Sequence, residues 1–484
     1  MSQPSTGHGA PAEPEILESP EAVLSTLHKD GRRRWMYPTL SEGALWRRRR
    51  LVGWALIVLF VALPIIQIKG KPAVLLDILH SEFTFFGLTL YATDTILLML
   101  LMITILLSVV FATALMGRVW CGWGCPQTIY LEFVYRPIER LLEGRESRRQ
   151  RQDEGDLSAP VFWRKLAKYL IFFVISIGLA HTFVAYFVGW SDLIAWMTGP
   201  PTQHWGFFLM MALTTSLVML DFAWFREQMC TIVCPYARLQ SVLMDRDSLI
   251  VSYDPGRGEP RGRRRKGAEE AGLGDCVDCL ACVRTCPTGI DIRDGLQMEC
   301  VGCTQCIDAC DAIMAKVEKP AGLIRYTSEN ALERKTPRIL RPRVMIYGAL
   351  LAVMVAIFAG SLSGRQSVEV NVTRVPGAPF VLLPDGNVAN RLRFRVHNRT
   401  GQRDIYRIEA LAPEGARVKV IGSPEIALGA GEMKHVDTWI EAPAGAFSGG
   451  STLGHFKIVG AAEVGESPEL DFKLLGPFGS QGGR

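Results

Sequence analysis

The sequence predicts a multi-domain integral membrane protein, with a bundle of five transmembrane α-helices, a small cysteine-rich α+β insert and a C-terminal all-β sandwich. Three observations predict this fold. Hydrophobic residues make up 49% of the 484-residue chain, with a mean hydropathy of +0.17, and they are concentrated in five long stretches. Eight of the twelve cysteines form two adjacent runs with one spacing. From about residue 366, short alternating polar and apolar segments replace the long apolar ones.

Residues 1–50 are predicted to be a disordered, basic, cytoplasmic N-terminus. Pro, Ser and Glu are abundant in the first 30 residues, and such segments bury too little apolar surface to fold.

The apolar stretches are long enough to cross a bilayer, which takes about 20 mostly apolar residues. The first four belong to a predicted membrane domain over 51–240, and the fifth follows the cysteine-rich insert. They cover about 51–68, 94–116, 167–190, 205–225 and 344–362.

Arginine and lysine predict the orientation of these helices, because basic residues favour the cytoplasmic side. Arg32–Arg34 and Arg47–Arg50 precede the first stretch, and the outer loop at about 191–204 has no Lys or Arg. We therefore expect a multi-pass protein of the bacterial inner (cytoplasmic) membrane, with the N-terminus and insert cytoplasmic and the C-terminal domain periplasmic. The basic run Arg263–Lys266 is expected to meet anionic lipid headgroups rather than nucleic acid.

The two cysteine runs lie in a predicted cytoplasmic domain over 241–343, and each reads C-x₂-C-x₂-C-x₃-C. This is the bacterial ferredoxin pattern for two [4Fe–4S] clusters, in which the fourth cysteine of each run binds the other cluster. Paired zinc sites are the alternative, since C-x₂-C repeats also bind zinc. The predicted ligands of cluster 1 are Cys276, Cys279, Cys282 and Cys310, and those of cluster 2 are Cys300, Cys303, Cys306 and Cys286.

A second repeat, C-x₃-C-P, follows the second and fourth apolar stretches. Pro126 and Pro235 suit the first position of a helix, which would place a cysteine at each helix N-terminus. The partial positive charge there is expected to lower the thiol pKa and favour a soft metal such as Cu(I). Copper, a further cluster, a redox dithiol and simply packed cysteines all stay open. The four candidates are Cys121, Cys125, Cys230 and Cys234.

Other features are less specific. His181 lies inside the third stretch, where it is either a quinol or metal site or a packing residue. Met210, Met211 and Met219 are interpreted as packing or lipid-facing residues rather than a copper relay. Residues 366–484 contain short runs in which polar and apolar residues alternate, separated by turns, as in a β-sandwich. They contain no catalytic constellation.

The ordered set of spans, hairpins, cluster motifs and β domain resembles the FixG/RdxA/CcoG family, accessory proteins of cbb-type cytochrome c oxidase. The local sequences Trp-Gly-Cys-Pro-Gln-Thr (123–128), Cys-Pro-Thr-Gly-Ile (286–290), Cys-Ile-Asp-Ala-Cys-Asp (306–311) and Gly-Leu-Ile-Arg-Tyr (322–326) are similar too. The resemblance implies an immunoglobulin-like outer domain and the eight ferredoxin cysteines as cluster ligands. It also implies an oxidoreductase that reduces Cu(II) to Cu(I) for assembly of the oxidase's haem–copper centre, with copper as substrate or transient ligand.

Two other functions stay open. The first is a quinol dehydrogenase-type electron conduit, similar to NapH and NosR, which share both cysteine motifs. The second is a non-catalytic scaffold for oxidase assembly. The expected partners are membrane lipid, oxidase subunits or copper chaperones and transporters, and a cytosolic electron donor. The sequence identifies neither this donor nor the cluster potentials, and it leaves homodimer formation open.

Overall fold

The computed structural model describes residues 25–478, apart from 29–31, 156–157, 264–271, 337, 339, 400–402 and 461–468. The chain folds as two compact units. The first contains Met1–Ile66 and Met102–Val355, and the second contains Gln67–Leu101 and Ala356–Arg484. The predictions for residues 1–24 and for the basic residues Arg264–Lys266 lie outside the described residues.

The first unit contains most of the helices. In chain order, the α-helices of the described residues are α1 (Ala44–Ala62), α2 (Thr95–Met116), α3 (Val119–Trp123), α4 (Pro126–Tyr130), α5 (Arg136–Glu143), α6 (Glu146–Glu154), α7 (Ala159–Val188), α8 (Trp190–Thr198), α9 (Trp205–Leu220), α10 (Pro235–Leu243), α11 (Pro255–Gly258), α12 (Ala281–Arg284), α13 (Gln305–Lys316), α14 (Glu329–Leu332) and α15 (Pro342–Ser363).

Four helical segments of the described chain are long and apolar enough to cross a membrane. They match the second to fifth predicted spans within a few residues, except that α7 begins earlier than predicted. Their bounds are Ala92–Met116, Ala159–Val188, Pro201–Phe225 and Pro342–Ser363.

The first predicted span, 51–68, differs from the structure. Helix α1 begins at Ala44 and ends at Ala62, so its apolar part is about 18 Å long at 1.5 Å per residue. Pro64 follows the helix end, and it has no backbone N–H group to continue the helical hydrogen bonds. Residues 44–50, predicted to be disordered, instead form the first turns of α1, where Trp46 and Arg49 are buried.

The cysteine-rich part of the first unit is a small α+β fold. Strands β6 (Ile250–Tyr253) and β7 (Ile324–Thr327) pair antiparallel, and α12 and α13 lie between them in sequence. Apolar side chains from both strands pack with the cluster cysteines in one buried group that includes Val251, Ile307 and Ile324. The sequence between the two strands therefore forms a compact insert, as predicted.

The second unit is mainly antiparallel β. Two sheets, ordered β12-β14-β10-β8 with β9 beside β10, and β13-β11-β15-β16, share one apolar core in which Phe394 and Phe456 meet edge to face at 5.6 Å. The strands are β8 (Val368–Arg374), β9 (Val381–Leu382), β10 (Asn387–Asn398), β11 (Asp404–Ala412), β12 (Arg417–Val420), β13 (Ile426–Leu428), β14 (Met433–Pro443), β15 (Ser451–Gly460) and β16 (Glu469–Leu475).

Five short strands in the second unit were not predicted. They lie in the loop after α1 and belong to the same unit as the sandwich, where the Tyr91 ring packs against His397 at 4.9 Å. The buried Asp94 next to them binds Arg365 at 2.7 Å. The strands are β1 (Gln67–Ile68), β2 (Lys71–Pro72), β3 (Val74–Asp77), β4 (Glu82–Phe85) and β5 (Leu88–Tyr91).

Candidate metal centres

The eight ferredoxin cysteines surround two separate cavities. The first cavity has an otherwise largely apolar lining that includes Leu280, Met314 and Ile324, and the cysteines on it are Cys276, Cys279, Cys282 and Cys310. The fourth of these comes from the second run, which fits the crossed pairing that the spacing predicts.

The second cavity lies beside the first. It is lined by apolar residues such as Ile290 and Val301, and by Cys286, Cys300, Cys303 and Cys306, while Cys282 also reaches it. Apart from this shared residue, the ligand sets are those predicted for two neighbouring cubanes. The assignment of each thiolate to a cluster stays a prediction, and the geometry fits it.

The two cysteine loops have matching backbone conformations. Asp278 and Leu280 in the first loop have positive φ values of 51° and 57°, and Gly302 and Thr304 have values of 66° and 64° at the corresponding positions of the second. Left-handed residues at these positions turn the chain sharply, so successive cysteines and backbone N–H groups point to one side. The backbone N–H groups of Gly302 and Gln305 donate to Cys300 and Cys303 in this way.

The thiols are spaced for a cluster rather than for a single ion. In the described residues, which include all twelve cysteines, no three His, Cys, Asp or Glu side chains are grouped as ligands of one metal ion. Zinc bound at about 2.3 Å by four thiolates would need such a group. Four thiolates around a cavity suit a cubane, which holds them farther apart, so the residues present fit [4Fe–4S] better than zinc.

The C-x₃-C-P cysteines of both hairpins lie near one another. The pKa of Cys230 is affected by the charges of Cys121, Cys125 and Cys234. The two hairpins are therefore close in space, although they are more than 100 residues apart in sequence. The two hairpins also share a local design, because Gly117 and Arg226, each four residues before the first cysteine, both have positive φ.

Contacts between the hairpins hold this group together. Gln127 donates to Asp221 and to the carbonyl of Arg226, both at 3.0 Å, and Cys121 donates to Gln240 at 3.2 Å. Gln240 is fully buried, and its Nε2 has no hydrogen-bond partner in the part of the chain that the structure describes. The two hairpins therefore bring the four thiols into one region, with the Gln240 amide beside Cys121.

The predicted lowering of the thiol pKa is wrong for Cys125. Pro126 and Pro235 do begin helices, with Cys125 and Cys234 at the N-cap positions. Burial nevertheless raises the pKa of Cys125, although the N–H groups of Thr128 and Gln127 act in the opposite direction. Burial likewise raises the pKa of Cys121 to about 11 and raises that of Cys230. The loss of hydration therefore raises the pKa of Cys125 by more than the N–H groups at the helix terminus lower it.

The first hairpin packs directly against the loop of cluster 2. A Cβ atom on Gly122 would lie 2.4 Å from the carbonyl oxygen of Gly302 and 2.9 Å from the nitrogen of Cys303. Trp123 donates to the hydroxyl of Tyr326 at 2.9 Å, and this hydroxyl donates to Gly302 at 3.2 Å. The backbone of the first hairpin is thus in direct contact with the backbone of the cluster 2 loop.

Two buried arginines bridge the same contact, and the sequence did not identify either. Arg49 donates to the carbonyl of Gly122 at 2.5 Å and to that of Cys303 at 3.3 Å. Arg118 donates to the carbonyls of Cys300 at 3.2 Å and Ala237 at 2.7 Å. Arg49 was interpreted only as part of a basic run that orients the membrane helices. Arg49 is one of four consecutive arginines at the start of α1, so the sequence held no signal that distinguished it from its neighbours.

Asp308, within the second cysteine run, caps α1. Its carboxylate accepts from the backbone N–H groups of Leu45 at 3.2 Å and Trp46 at 2.7 Å, which would otherwise be unpaired at the helix start. Gly43 allows this approach, because a side chain there would overlap Asp308. The contact joins the N-terminal helix to the cluster fold.

The remaining candidates are less informative. The Nδ1 atom of His181 lies 2.7 Å from the carbonyl oxygen of Ile177, one turn earlier on α7, which suits a packing residue. Met210 and Met211 contact the apolar group around Val184, and Met219 contacts the group around Phe172. These contacts fit the packing interpretation of both residue types.

Family models match three parts of the chain. A model described as a 4Fe-4S dicluster domain matches residues 225–329, and one described as a 4Fe-4S binding domain matches 98–145, which includes Cys121 and Cys125. A third, for the IG-like fold at the C-terminus of FixG, matches 358–477. The C-terminal sandwich is therefore immunoglobulin-like, and the chain has two iron–sulfur domains.

Three curated proteins are similar to most of the chain. Protein RdxA of Cereibacter sphaeroides is 35% identical over 387 residues, which cover 77% of this chain and 81% of RdxA. Nitrogen fixation protein FixG of Rhizobium meliloti is 31% identical over 410 residues, covering 76% and 77%. Protein RdxB of Cereibacter sphaeroides is 32% identical over 432 residues, covering 84% and 88%. Together with the apolar helices, these matches identify a membrane iron–sulfur electron-transfer protein.

Proposed function

The chain belongs to the FixG/RdxA family, and from this we propose that it is a membrane-bound cupric reductase. Electrons from a cytosolic donor pass through the two iron–sulfur sites to Cu(II) held at Cys121, Cys125, Cys230 and Cys234. The Cu(I) product serves assembly of the haem–copper centre of a cbb-type cytochrome c oxidase.

The observation that carries this proposal is the contact between Gly122 and the Gly302–Cys303 backbone. It brings the first C-x₃-C-P hairpin against the loop of cluster 2, with Arg49 and Arg118 bonded to carbonyls on or beside that loop. Close contact through a packed interior is what short-range electron transfer requires. The hairpin cysteines are therefore suited to receive electrons from the cluster domain.

The chemistry of the two sites is complementary. Bound [4Fe–4S] clusters supply electrons singly, and each Cu(II) needs one electron to become Cu(I). Thiols favour the softer Cu(I) ion over Cu(II), so the four-cysteine site stabilises the product. Each thiol that binds the metal releases its proton.

We also propose that α1 crosses the membrane as a fifth helix, with the N-terminus and cluster domain cytoplasmic and the β-sandwich periplasmic. Its outer surface after Arg50 is apolar, with Leu51 74% and Val58 63% exposed. Arg49 is buried among polar partners rather than exposed to lipid. The loops enriched in arginine support this orientation.

The test is Cu(II) reduction by anaerobically purified protein whose clusters have been reduced chemically. Replacing Cys121 and Cys230 together by serine should abolish formation of chelatable Cu(I) while leaving the cluster absorbance intact. A variant with leucine at Met210 and Met211 is the matched control and should reduce copper normally. Unchanged copper reduction in the double cysteine variant would remove these thiols from the mechanism.

The same preparation separates the two other functions. Oxidation of a quinol analogue coupled to cluster reduction would favour a quinol conduit, and reduced wild-type protein that does not reduce Cu(II) would favour an assembly scaffold. The sequence has no C-x-x-C-H haem site for outward transfer. Proposed partners are oxidase subunits or copper chaperones and transporters, membrane lipid, and the cytosolic donor.

A further inference from the structure

A cavity of about 890 Å³ reaches Cys286, a predicted ligand of cluster 2. The N-terminal segment before α1, helices α5 and α6, the start of α7 and the α12 loop all contribute to its lining. Its volume is within the range of about 300–1,000 Å³ that is typical of small-molecule sites. A ligand in this cavity would therefore lie beside a cluster thiolate.

The cavity lining carries charges of both signs, with Glu146, Asp153 and Glu154 among its carboxylates, and its cations can bind an anion. Its two most buried carboxylates are already paired, because Glu139 binds Arg149 at 2.7 Å and also Arg226, and Glu143 binds Lys168 at 2.8 Å. Burial alone would raise the pKa of Glu139, yet these cations hold it at about 2, so the carboxylate stays paired. Further cations on the lining remain for a ligand, namely Arg33, Arg34 and Arg284.

Arg33 is the clearest sign of a missing partner. Its side chain is only 9% exposed, and among the described residues none of its three guanidinium nitrogens has a hydrogen-bond partner. The nearest carboxylate oxygen, on Glu227, is 3.6 Å away. A buried guanidinium without hydrogen bonds is costly, and a phosphate would supply two acceptors in the geometry that a guanidinium binds best.

Aromatic rings lie on the same cavity. Trp35 stacks on the Arg33 guanidinium, whose central carbon is 3.8 Å from the ring centroid, and is itself 41% exposed. Tyr37 and Tyr169 also line the space, and Tyr37 is oriented by a 2.7 Å hydrogen bond to Asp153. The lining thus combines phosphate-binding cations with surfaces for a flat ring.

We propose that this cavity binds a reduced flavin mononucleotide, with its phosphate at Arg33 and its isoalloxazine ring toward Trp35 and the Cys286 loop. This identifies the class of electron donor and rests on the proposed reductase function. Clusters accept electrons singly. A reduced flavin can release its two electrons one at a time, whereas a hydride carrier releases both together. One dihydroflavin gives two electrons, one to each cluster, and becomes oxidised flavin with release of two protons.

The test uses full-length protein with both clusters, in detergent and without oxygen. Binding of oxidised flavin mononucleotide is followed by quenching of its fluorescence, with riboflavin as the ring without phosphate and inorganic phosphate as a competitor. We expect riboflavin to bind at least tenfold more weakly than the nucleotide, and phosphate to compete. Arg33→Gln should weaken nucleotide binding at least tenfold, Arg33→Lys should weaken it less, and Arg391→Gln, on the β-sandwich, should leave it unchanged.

Iron and sulfide content is measured in each variant, so that a loss of binding is not confused with a loss of folding. Reduced flavin mononucleotide should bleach the cluster absorbance of the wild type, and Arg33→Gln should slow this bleaching at low flavin concentration. No nucleotide binding by the wild type, equal binding of riboflavin, or unchanged binding by intact Arg33→Gln would each overturn the inference.

The proposed cupric reductase function is tested by a separate measurement. Wild-type protein reduced by dithionite should reduce Cu(II) without any flavin. If it does so but binds no flavin, only the donor site is wrong. If it binds flavin at Arg33 but does not reduce copper, the cupric reductase is wrong and the nucleotide site stands.

Discussion

Removal of the Arg118 charge should lower the reduction potential of cluster 2. Arg118 is buried, and it donates to the carbonyl of Cys300 at 3.2 Å while its own carbonyl lies close to Gly302. A fixed positive charge at this place favours the extra electron of a reduced cluster. Arg118→Gln keeps one amide donor for the carbonyls and removes the charge.

The size of the effect follows from Coulomb's law. For two unit charges about 8 Å apart and an effective dielectric constant of about 20, the interaction is about 2 kcal/mol. For a one-electron couple, about 59 mV corresponds to a tenfold change in equilibrium constant, so this energy is equivalent to about 90 mV. Partial rearrangement of neighbouring dipoles would reduce it, and we expect a shift of about 50–90 mV to lower potential.

The assay is a redox titration of purified protein, followed by electron paramagnetic resonance so that the two clusters are resolved. Arg118→Lys keeps the charge and should stay within about 20 mV of the wild type, since its ammonium keeps the same sign at a similar distance. Arg246→Gln removes an exposed arginine that pairs with Glu329 at 3.8 Å, and it controls for net charge. An unchanged potential in Arg118→Gln with both clusters present would refute the electrostatic reasoning.

Three further changes test the contacts around the clusters. Gly122→Ala should lower the free energy of unfolding by about 1–3 kcal/mol, because the added methyl group overpacks the contact, and it should slow copper-dependent reoxidation of reduced clusters. Gly178→Ala is the control and should do neither, since no atom lies within 4 Å of its added methyl group. Equal reoxidation rates in the two variants would contradict a tight contact at Gly122. Asp308→Ala should lower the free energy of unfolding by about 1–2 kcal/mol through loss of the α1 cap, measured by thermal melting in detergent, and an unchanged melting temperature would argue against the cap. Cys310→Ser should reduce the iron content from about eight to about four atoms per chain and leave the resonance signal of cluster 2, and loss of both signals would speak against independent ligand sets.

Local sequence was sufficient for the cluster loops and for most membrane helices. The spacing from Cys276 to Cys286 determines how a short chain can surround a cavity, and an unbroken apolar run such as that of α2 has one stable environment. The same approach was less successful for α1, where basic residues and Pro64 shorten the apolar helix. It missed strands β1–β5, whose short segments pair only in the context of the second unit.

The candidate sites divide in the same way. The C-x₃-C-P repeat was recognised from the sequence, including the prolines that begin α4 and α10. The direction of the thiol pKa change was not recognised from the sequence, because it depends on how much water the surrounding chain excludes from Cys121 and Cys230. A helix start can be read from neighbouring residues, whereas burial is the sum of distant contacts.

By itself, the sequence predicted which residues carry the redox chemistry, since ligand type and spacing are local properties of the chain. Only the tertiary structure decided that the first C-x₃-C-P hairpin lies against the Gly302–Cys303 backbone, through Gly122, and that Arg49 bonds to the carbonyl of Cys303, 254 residues away. It alone placed the buried guanidinium of Arg33 in a cavity that reaches Cys286. The physical reason is that packing and desolvation arise from segments far apart in sequence, whose approach no local pattern encodes.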